Sequence, residues 1–213
     1  MHCNFDSTTD LIVGGQIIPR KLTHKHLGVT LDENLTFNSH CRELTNKIQK
    51  LINPLRHLSK YMNSKHLLTI YNSFILPHFD YADIIYSSTS ALNIQALEKL
   101  QYQAALAITG AIRGSNKSKV FSALNWIPLS VRRKHHSLIY TYKVLNNINN
   151  LSNKKYFNFY KRDLVRNNLR NVVEFSIPTS YPTSFRKTTI VAGIEMWNNL
   201  NSSRRKKKIV CFR

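Results

Sequence analysis

The residues that could do metal chemistry in this sequence are histidines and a cysteine near its N-terminal end. His24, His26, His40 and Cys41 stand close together in the chain, and imidazole and thiolate are the ligands that Zn²⁺ prefers. Their spacing matches no standard zinc finger, and Cys41 falls on the apolar seam of a predicted helix. The sequence also lacks a Gly-rich phosphate loop, a Ser-His-Asp set and a close carboxylate pair. We therefore predict no metal site, no catalytic residue and no cofactor in this chain.

Basic side chains are the second group with chemical potential. The chain has 31 Lys plus Arg against 11 Asp plus Glu, a formal net charge of +20. Such an excess repels itself unless an anion is near, and nucleic acid is the commonest anionic partner, with an acidic membrane surface next. A membrane surface favours a strongly one-sided basic amphipathic helix, and none is clear. We therefore expect nucleic acid, bound through its phosphates, and no membrane.

The candidate phosphate contacts are cations that fall off the apolar seams of two predicted helices. They are Lys47, Lys50 and Arg56 on the first helix, and Arg132 and Arg133 in the first turns of a later one. Cations in the first turns are unfavourable near the positive end of the helix dipole. Arg132 and Arg133 are therefore either tolerated at the helix surface or lie near an anion. The first set has an equally simple alternative, because a solvated helix face is commonly rich in Lys and Arg.

The elements that must position these cations begin with a small β patch. Residues 11–18 read as a hairpin around a Gly-Gly turn. Residues 26–31 alternate apolar and small side chains, which predicts a third, half-buried strand. Its apolar face would carry Leu27, Val29 and Leu31. Gly28 indicates either a bulge in that strand or a close approach of another backbone.

Apolar residues at helical spacing then predict a bundle of about five helices. The expected ranges are residues 38–58, 65–76, 91–109, 119–125 and 129–146. Asn38 or Ser39 should cap the first helix, Pro54 should kink or shorten it, and Pro77 should end the second. The predicted apolar faces are Cys41, Leu44, Ile48, Leu51, Leu55 and Leu58 on the first helix, Leu97, Leu100, Ala104 and Ile108 on the third, and Val131, His135, Leu138, Tyr142 and Leu145 on the fifth.

The composition changes after residue 146. An Asn-rich stretch leads into a basic, aromatic region, and residues 188–200 could form a last helix, although Gly193 weakens that prediction. Residues 204–208 are a solvated charge run of the kind that can also act as a nuclear signal. The odd number and wide spacing of the cysteines fit a reducing compartment, and no signal peptide or membrane span is evident. We expect an intracellular protein, with a nuclear location left open.

Several segments, in order, resemble the region that follows the polymerase palm in non-LTR retrotransposon reverse transcriptases, the jockey-like group especially. The matching residues are Leu27-Gly28-Val29 with Leu31-Asp32, His40, Ile75-Leu76-Pro77, Leu97 with Leu100-Gln101, Leu124 with Trp126-Ile127-Pro128-Leu129, and Trp197-Asn198 with Leu200. The resemblance implies that Leu27 and Gly28 lie on the primer-grip hairpin and that thumb helices follow. It also implies an RNA-directed DNA polymerase as the complete enzyme.

Two features depart from that family. Asn201 stands where the family usually has proline. More importantly, polymerisation there needs paired aspartates that hold two metal ions, upstream of the hairpin, where this sequence has only about two dozen residues. Tyr81-Ala82-Asp83 is not that motif, because Ile84 replaces the second aspartate and the segment follows the hairpin. We expect Asp83 to be a turn or cap residue, and no polymerisation by this chain alone.

The sequence thus predicts a mainly α protein in three parts. Residues 1–36 form a β-hairpin patch resembling the primer-grip end of a polymerase palm, residues 37–146 a helical thumb-like bundle, and residues 147–213 a less regular, basic C-terminal region. The predicted function is that of a reverse transcriptase fragment from a transposable element whose thumb region binds primer–template. The alternative is a non-catalytic helical protein-interaction module with a basic surface. The oligomeric state is not predicted.

Overall fold

The computed structural model describes residues 11–145, residue 148 and residues 189–199. Over this part of the chain the protein is mainly α-helical, with a small β patch ahead of a helical bundle, as the sequence predicts. Most of the predicted C-terminal region, including the charge run at 204–208, lies outside the described residues. None of the described helices combines the length and the apolar character of a membrane span.

The β patch consists of two separate antiparallel pairs. β1 (Leu11–Val13) pairs with β2 (Gln16–Ile18), and β3 (Thr23–His26) pairs with β4 (Val29–Asp32). The predicted single strand over residues 26–31 is therefore wrong, because the chain reverses at Leu27-Gly28 and His26 lies opposite Val29. The apolar alternation runs unbroken through this turn, so the pattern alone could not reveal it.

The first helix, α1 (Asn38–Leu58), has the predicted bounds, but its start is built differently. Phe37, in the left-handed region at φ 59°, precedes it without a side-chain cap. The chain is held there by the Asp32 carboxylate, which accepts from the backbone N–H groups of Thr36 and Phe37 at 2.9 and 2.7 Å. Burial tends to raise the pKa of Asp32, but these hydrogen bonds outweigh it and lower the pKa. Pro54 lies inside α1 without ending it.

The buried stripe of α1 shares four residues with the predicted seam and differs at the others. Its members are His40, Cys41, Leu44, Ile48, Ile52 and Leu55. Leu51 is only half-buried and Leu58 is exposed. The pattern assumed a repeat of 3.5 residues, whereas a straight α-helix repeats every 3.6, so the contact stripe drifts around the helix and reaches Ile52 instead of Leu51.

The second predicted helix is longer than expected because Pro77 does not end it. α2 (Ser64–Ile70), a π-helical turn (Tyr71–Ile75) and α3 (Leu76–Asp80) follow one another directly. Proline is tolerated at the first positions of a helical segment, where its missing N–H is not needed, and the wider π turn places Pro77 at such a position. Asn63 caps α2 by accepting from His66 N–H at 3.1 Å.

The third predicted helix, α4 (Ala91–Thr109), has the predicted boundaries. Ser90 caps it by accepting from the Asn93 N–H, and Gly110 ends it at φ 69°. Its four predicted core residues are all buried and form, with the buried stripe of α1, the centre of the main core. A short helix, α5 (Lys117–Ala123), follows and is capped by Asn116.

The fifth predicted helix, α6 (Leu129–Leu145), buries a different face from the predicted one. Val131 and His135 are exposed, and Leu138 and Tyr142 are half-buried. The buried residues are Leu129, Arg133, Ser137, Thr141 and Val144. This polar face is covered because α7 (Thr189–Asn198) packs on it, with Gly193 lying against Thr141 and the Ser137 carbonyl. The side chain of Leu145, which was predicted to lie on the apolar face, is outside the described part.

Candidate nucleic-acid interface

The tip of the second hairpin is a strained two-residue turn that is held by a hydrogen bond from a tyrosine. Leu27 and Gly28 have φ values of 44° and 79°, as a primed hairpin turn requires. The left-handed conformation costs a residue such as leucine about 1–2 kcal/mol. The Tyr81 hydroxyl donates to the Leu27 carbonyl at 2.6 Å, and a Cβ on Gly28 would lie 3.5 Å from the Tyr81 ring. The Leu27 side chain is left 76% exposed.

Contacts between β4 and α1 hold this hairpin against the first helix. The Thr30 N–H donates to His40 Nδ1 at 3.4 Å, and the Thr30 hydroxyl donates to Glu43 at 3.0 Å. The buried His40 ring in turn lies 5.2 Å from the Tyr86 ring, centroid to centroid. The hairpin tip and α1 are therefore positioned by the same small network.

His40 makes this junction sensitive to acid. Burial lowers its pKa, with Glu43 acting to raise it and Lys25 to lower it further. Because the folded pKa lies below the unfolded value of 6.5, the stabilisation by neutral His40 is complete above that value and is lost as the pH falls through the folded pKa.

We expect His40→Asn, whose amide oxygen can replace the acceptor Nδ1, to weaken the fall in stability between about pH 7 and pH 5. Urea unfolding at a series of pH values measures this. His78, whose pKa is also lowered by burial and then by Lys47, contributes equally to both proteins. An identical pH dependence in the parent and the variant would contradict the assignment to His40.

The structure divides the predicted cations of α1 into two groups. Lys47, Lys50 and Arg56 are all exposed. At about 100° per residue, Lys47 and Lys50 lie about 60° apart around the helix, whereas Arg56 lies about 180° from Lys47. The effect of Lys47 on the pKa of His78 shows that it lies on the side of that residue. Lys47 and Lys50 thus share one face, and Arg56 belongs to another.

The two predicted cations of α6 have partners or positions inside the fold. Arg132 donates from Nε and Nη2 to the two oxygens of Asp80, at 2.5 and 2.6 Å. This carboxylate is the nearby anion that its place in the first turns of α6 indicated. Arg133 is only 7% exposed, and its Nη2 is buried with no hydrogen-bond partner in the part of the chain that the structure describes. Neither presents a free guanidinium at the surface for a phosphate.

The sequence did not predict the polar cluster around Asp80. Asp83 lies in the turn at residues 81–84, as expected, and its carboxylate is in addition buried and hydrogen-bonded to His136 Nδ1 at 2.6 Å. Burial raises the pKa of Asp83, and the hydrogen bond from His136 opposes that rise. Asp80, Asp83 and His136 bring possible metal-ligand atoms together. Arg132, however, already neutralises Asp80 through both oxygens. The cluster therefore fastens α6 to the end of α3.

The suspected ligand set at the N-terminal end does not form a site in the described residues. Cys41 is buried and donates from Sγ to the Thr89 hydroxyl at 3.6 Å, while His40 Nδ1 accepts from the backbone. His24 and His26 lie on the exposed strand β3. The one group of possible ligands found together in the described part of the chain is the Asp80 cluster.

Acidic side chains are largely engaged within the described residues, which leaves α1 with unpaired positive charge. The engaged pairs are Glu33 with Arg20, Glu43 with Lys25, Glu98 with Lys117, Asp80 with Arg132, and Asp83 with His136. By contrast, Lys47, Lys50 and Arg56 have no carboxylate within 4.0 Å in the part of the chain that the structure describes. Such unpaired cations keep their charge available for an anion.

The described residues form a basic helical bundle, preceded by a hairpin whose tip accepts a hydrogen bond from Tyr81. The chain is similar to the retrovirus-related Pol polyprotein from type-1 retrotransposable element R1 4 of Nasonia vitripennis, with 28% identity over 123 residues. The matched region covers 56% of this chain and 31% of that relative. The similarity supports an origin of this chain in a non-LTR retrotransposon. No protein-family model matches the chain, and no solved structure matches it.

Proposed function

We propose that this chain is the thumb and post-thumb part of a retrotransposon reverse transcriptase and that it binds primer–template nucleic acid through phosphates. The observation that carries the proposal is the exposed pair Lys47 and Lys50, which has no carboxylate partner among the described residues, on the helix that is joined to the Leu27-Gly28 hairpin. The similarity to a Pol polyprotein supports nucleic acid over other anions.

The geometry suggests how the two elements would cooperate. A duplex backbone lying along α1 would meet Lys47 and Lys50, and such phosphate contacts fix position without reading sequence. The hairpin tip would then approach the end of one strand, where Gly28 has no side chain to block another backbone. Nucleotide addition would take place in the palm of the complete enzyme, whose aspartates hold the two metal ions that the reaction requires.

A protein-interaction role is the second candidate, and the first hairpin favours it. Ile12, Val13, Ile17 and Ile18 are between 46% and 63% exposed, and clustered exposed apolar side chains are typical of surfaces that bind other protein segments. This binding would not depend on Lys47 or Lys50. The two candidates are therefore separated by charge-neutralising variants.

Replacing Lys47 and Lys50 by Gln should weaken binding of the full chain to an RNA–DNA hybrid and flatten its salt dependence. Each phosphate contact contributes a log–log slope of about −0.9 on B-form duplex, so the double variant should lose up to about two units of slope. Fluorescence anisotropy at several salt concentrations measures it. The matched control is Lys65→Gln with Lys119→Gln, which removes the same charge from other exposed positions. Equal losses in both double variants would contradict the proposal.

The basic segment at residues 204–208 is the main rival source of nucleic-acid binding. Deleting residues 204–213 should leave most of the affinity and the effect of the Lys47/Lys50 variant intact. If the deletion abolishes binding while the Lys47/Lys50 variant binds like the parent, the role assigned to α1 is wrong.

A further inference from the structure

A second basic surface lies between the C-terminal halves of α1 and α4. Here the chain forms an open cleft of about 790 Å³, lined by Arg56, Lys99 and Arg113, by Tyr102 and Leu106, and by smaller polar and apolar residues. None of the described residues that line it is acidic. Because Arg56 lies about 180° around α1 from Lys47, this cleft faces away from the proposed duplex contact.

Ion pairing within the chain does not account for these three cations. None of them has a carboxylate within 4.0 Å in the described residues. Glu98, next to Lys99 in sequence, turns away and binds Lys117 Nζ at 3.0 Å and the Ser130 N–H at 2.7 Å. The carbonyl ends of α1 and α4 border the cleft and each carries about half a negative charge. Three full positive charges exceed that, so the cleft remains cationic.

The walls also offer groups that suit a nucleotide better than a simple anion. The Tyr102 hydroxyl donates to the Ser115 carbonyl at 2.5 Å, which fixes an aromatic ring in the wall, where a base could stack. Gln103 lines the cleft, and its Oε1 is buried with no hydrogen-bond partner among the described residues. Turning that amide toward a ligand therefore breaks no hydrogen bond of the oxygen and can relieve the cost of leaving it unpaired.

We propose that this cleft binds a single strand of nucleic acid, with Arg56, Lys99 and Arg113 as its phosphate ligands. The inference rests on the proposed function in that the ligand is nucleic acid, but it assigns a second, separate contact. A concave site with a few cations and one aromatic wall fits one strand, because successive bases of a single strand are free to enter a cleft. A strand leaving the duplex would thus be held on the opposite side of α1.

The test compares two triple variants of the full chain on two probes. The cleft variant is Arg56→Gln with Lys99→Gln and Arg113→Gln, and its control is Lys21→Gln with Lys65→Gln and Lys119→Gln, all at exposed positions. The probes are a labelled oligothymidylate and a blunt RNA–DNA hybrid. With about −0.7 per phosphate on single strands, the cleft variant should lose about two units of salt slope on the oligothymidylate. It should bind the hybrid like the control.

The possible outcomes separate the proposal for the cleft from the proposal for Lys47 and Lys50. Equal losses of slope in the cleft and control variants on the single strand would overturn the cleft, while leaving the Lys47/Lys50 proposal standing. If the parent binds the single strand but the Lys47/Lys50 variant binds the hybrid like its own control, the proposed function fails and the cleft stands on its own. Arg56→Lys with Arg113→Lys keeps the charge and should keep the slope; a loss there, with unchanged circular dichroism, would mean that charge is not what the cleft supplies.

Discussion

Replacing Ile52 by Ala is expected to lower the free energy of unfolding by about 2–5 kcal/mol, the cost of deleting a large side chain from a packed core. Ile52 is 0% exposed and lies in the main core that α1 forms with α4. The loss includes both the transfer of the side chain from water and the cavity left behind. Urea unfolding of the full chain, followed by circular dichroism, measures it.

Leu51→Ala is the matched control, because it removes a side chain of the same size from the neighbouring position. Leu51 is half-buried, so we expect less than about half of the cost of Ile52→Ala. The sequence pattern placed Leu51 on the seam and Ile52 off it. A larger cost at Leu51 than at Ile52 would mean that the rotation of α1 about its axis is that of the pattern and not that of the structure.

Gly193→Ala should destabilise the protein by about 1–3 kcal/mol, as overpacking of a tight contact does. A Cβ at this position would clash with Thr141 Oγ1 on α6. Thr141 is 1% exposed and its hydroxyl donates to the Ser137 carbonyl at 2.9 Å. Relieving the clash by rotating the side chain would therefore break that hydrogen bond. Thermal or urea unfolding measures the change.

The same substitution should change sign when Thr141 is shortened. In a Thr141→Ala background the clash is removed, and alanine is better than glycine inside a helix by about 1 kcal/mol. Gly193→Ala should then be neutral or stabilising, and the double-mutant cycle should show a coupling between the two positions. A destabilisation of the same size in both backgrounds would show that α7 does not pack on α6 through this contact.

Elements with local signals were predictable from the sequence, and contacts between distant segments were not. α4 is bounded by its own Ser90 cap and Gly110 stop, and its apolar spacing marks its core face. The residues on the buried face of α6 are mostly polar, and that face is buried because α7 covers it. No pattern within α6 indicates a partner so far along the chain. The prediction that Pro77 ends the second helix was wrong because the preceding π turn changes the backbone hydrogen bonding. The N–H that proline lacks is therefore not needed at position 77.

The candidate site shows the same division. Leu27-Gly28 was singled out by its residue types, but the turn became visible only with the pairing of β3 and β4 and the hydrogen bond from Tyr81. Lys47 and Lys50 could be placed on one helix face from spacing alone. Arg132 could not be assigned, because its partner Asp80 is 52 residues away. The cleft beside Arg56 also needed the packing of α1 on α4.

Protection of individual lysines from acylation, read by mass spectrometry with and without an RNA–DNA hybrid, shows which lysines contact phosphates. We expect Lys47 and Lys50 to become protected when the hybrid binds, because their ammonium groups then contact phosphates. Lys21, Lys65 and Lys119, which are also exposed, should react as before. Protection confined to the lysines at 206–208, with Lys47 and Lys50 reacting at the same rate in both samples, would contradict the role of α1 in binding nucleic acid.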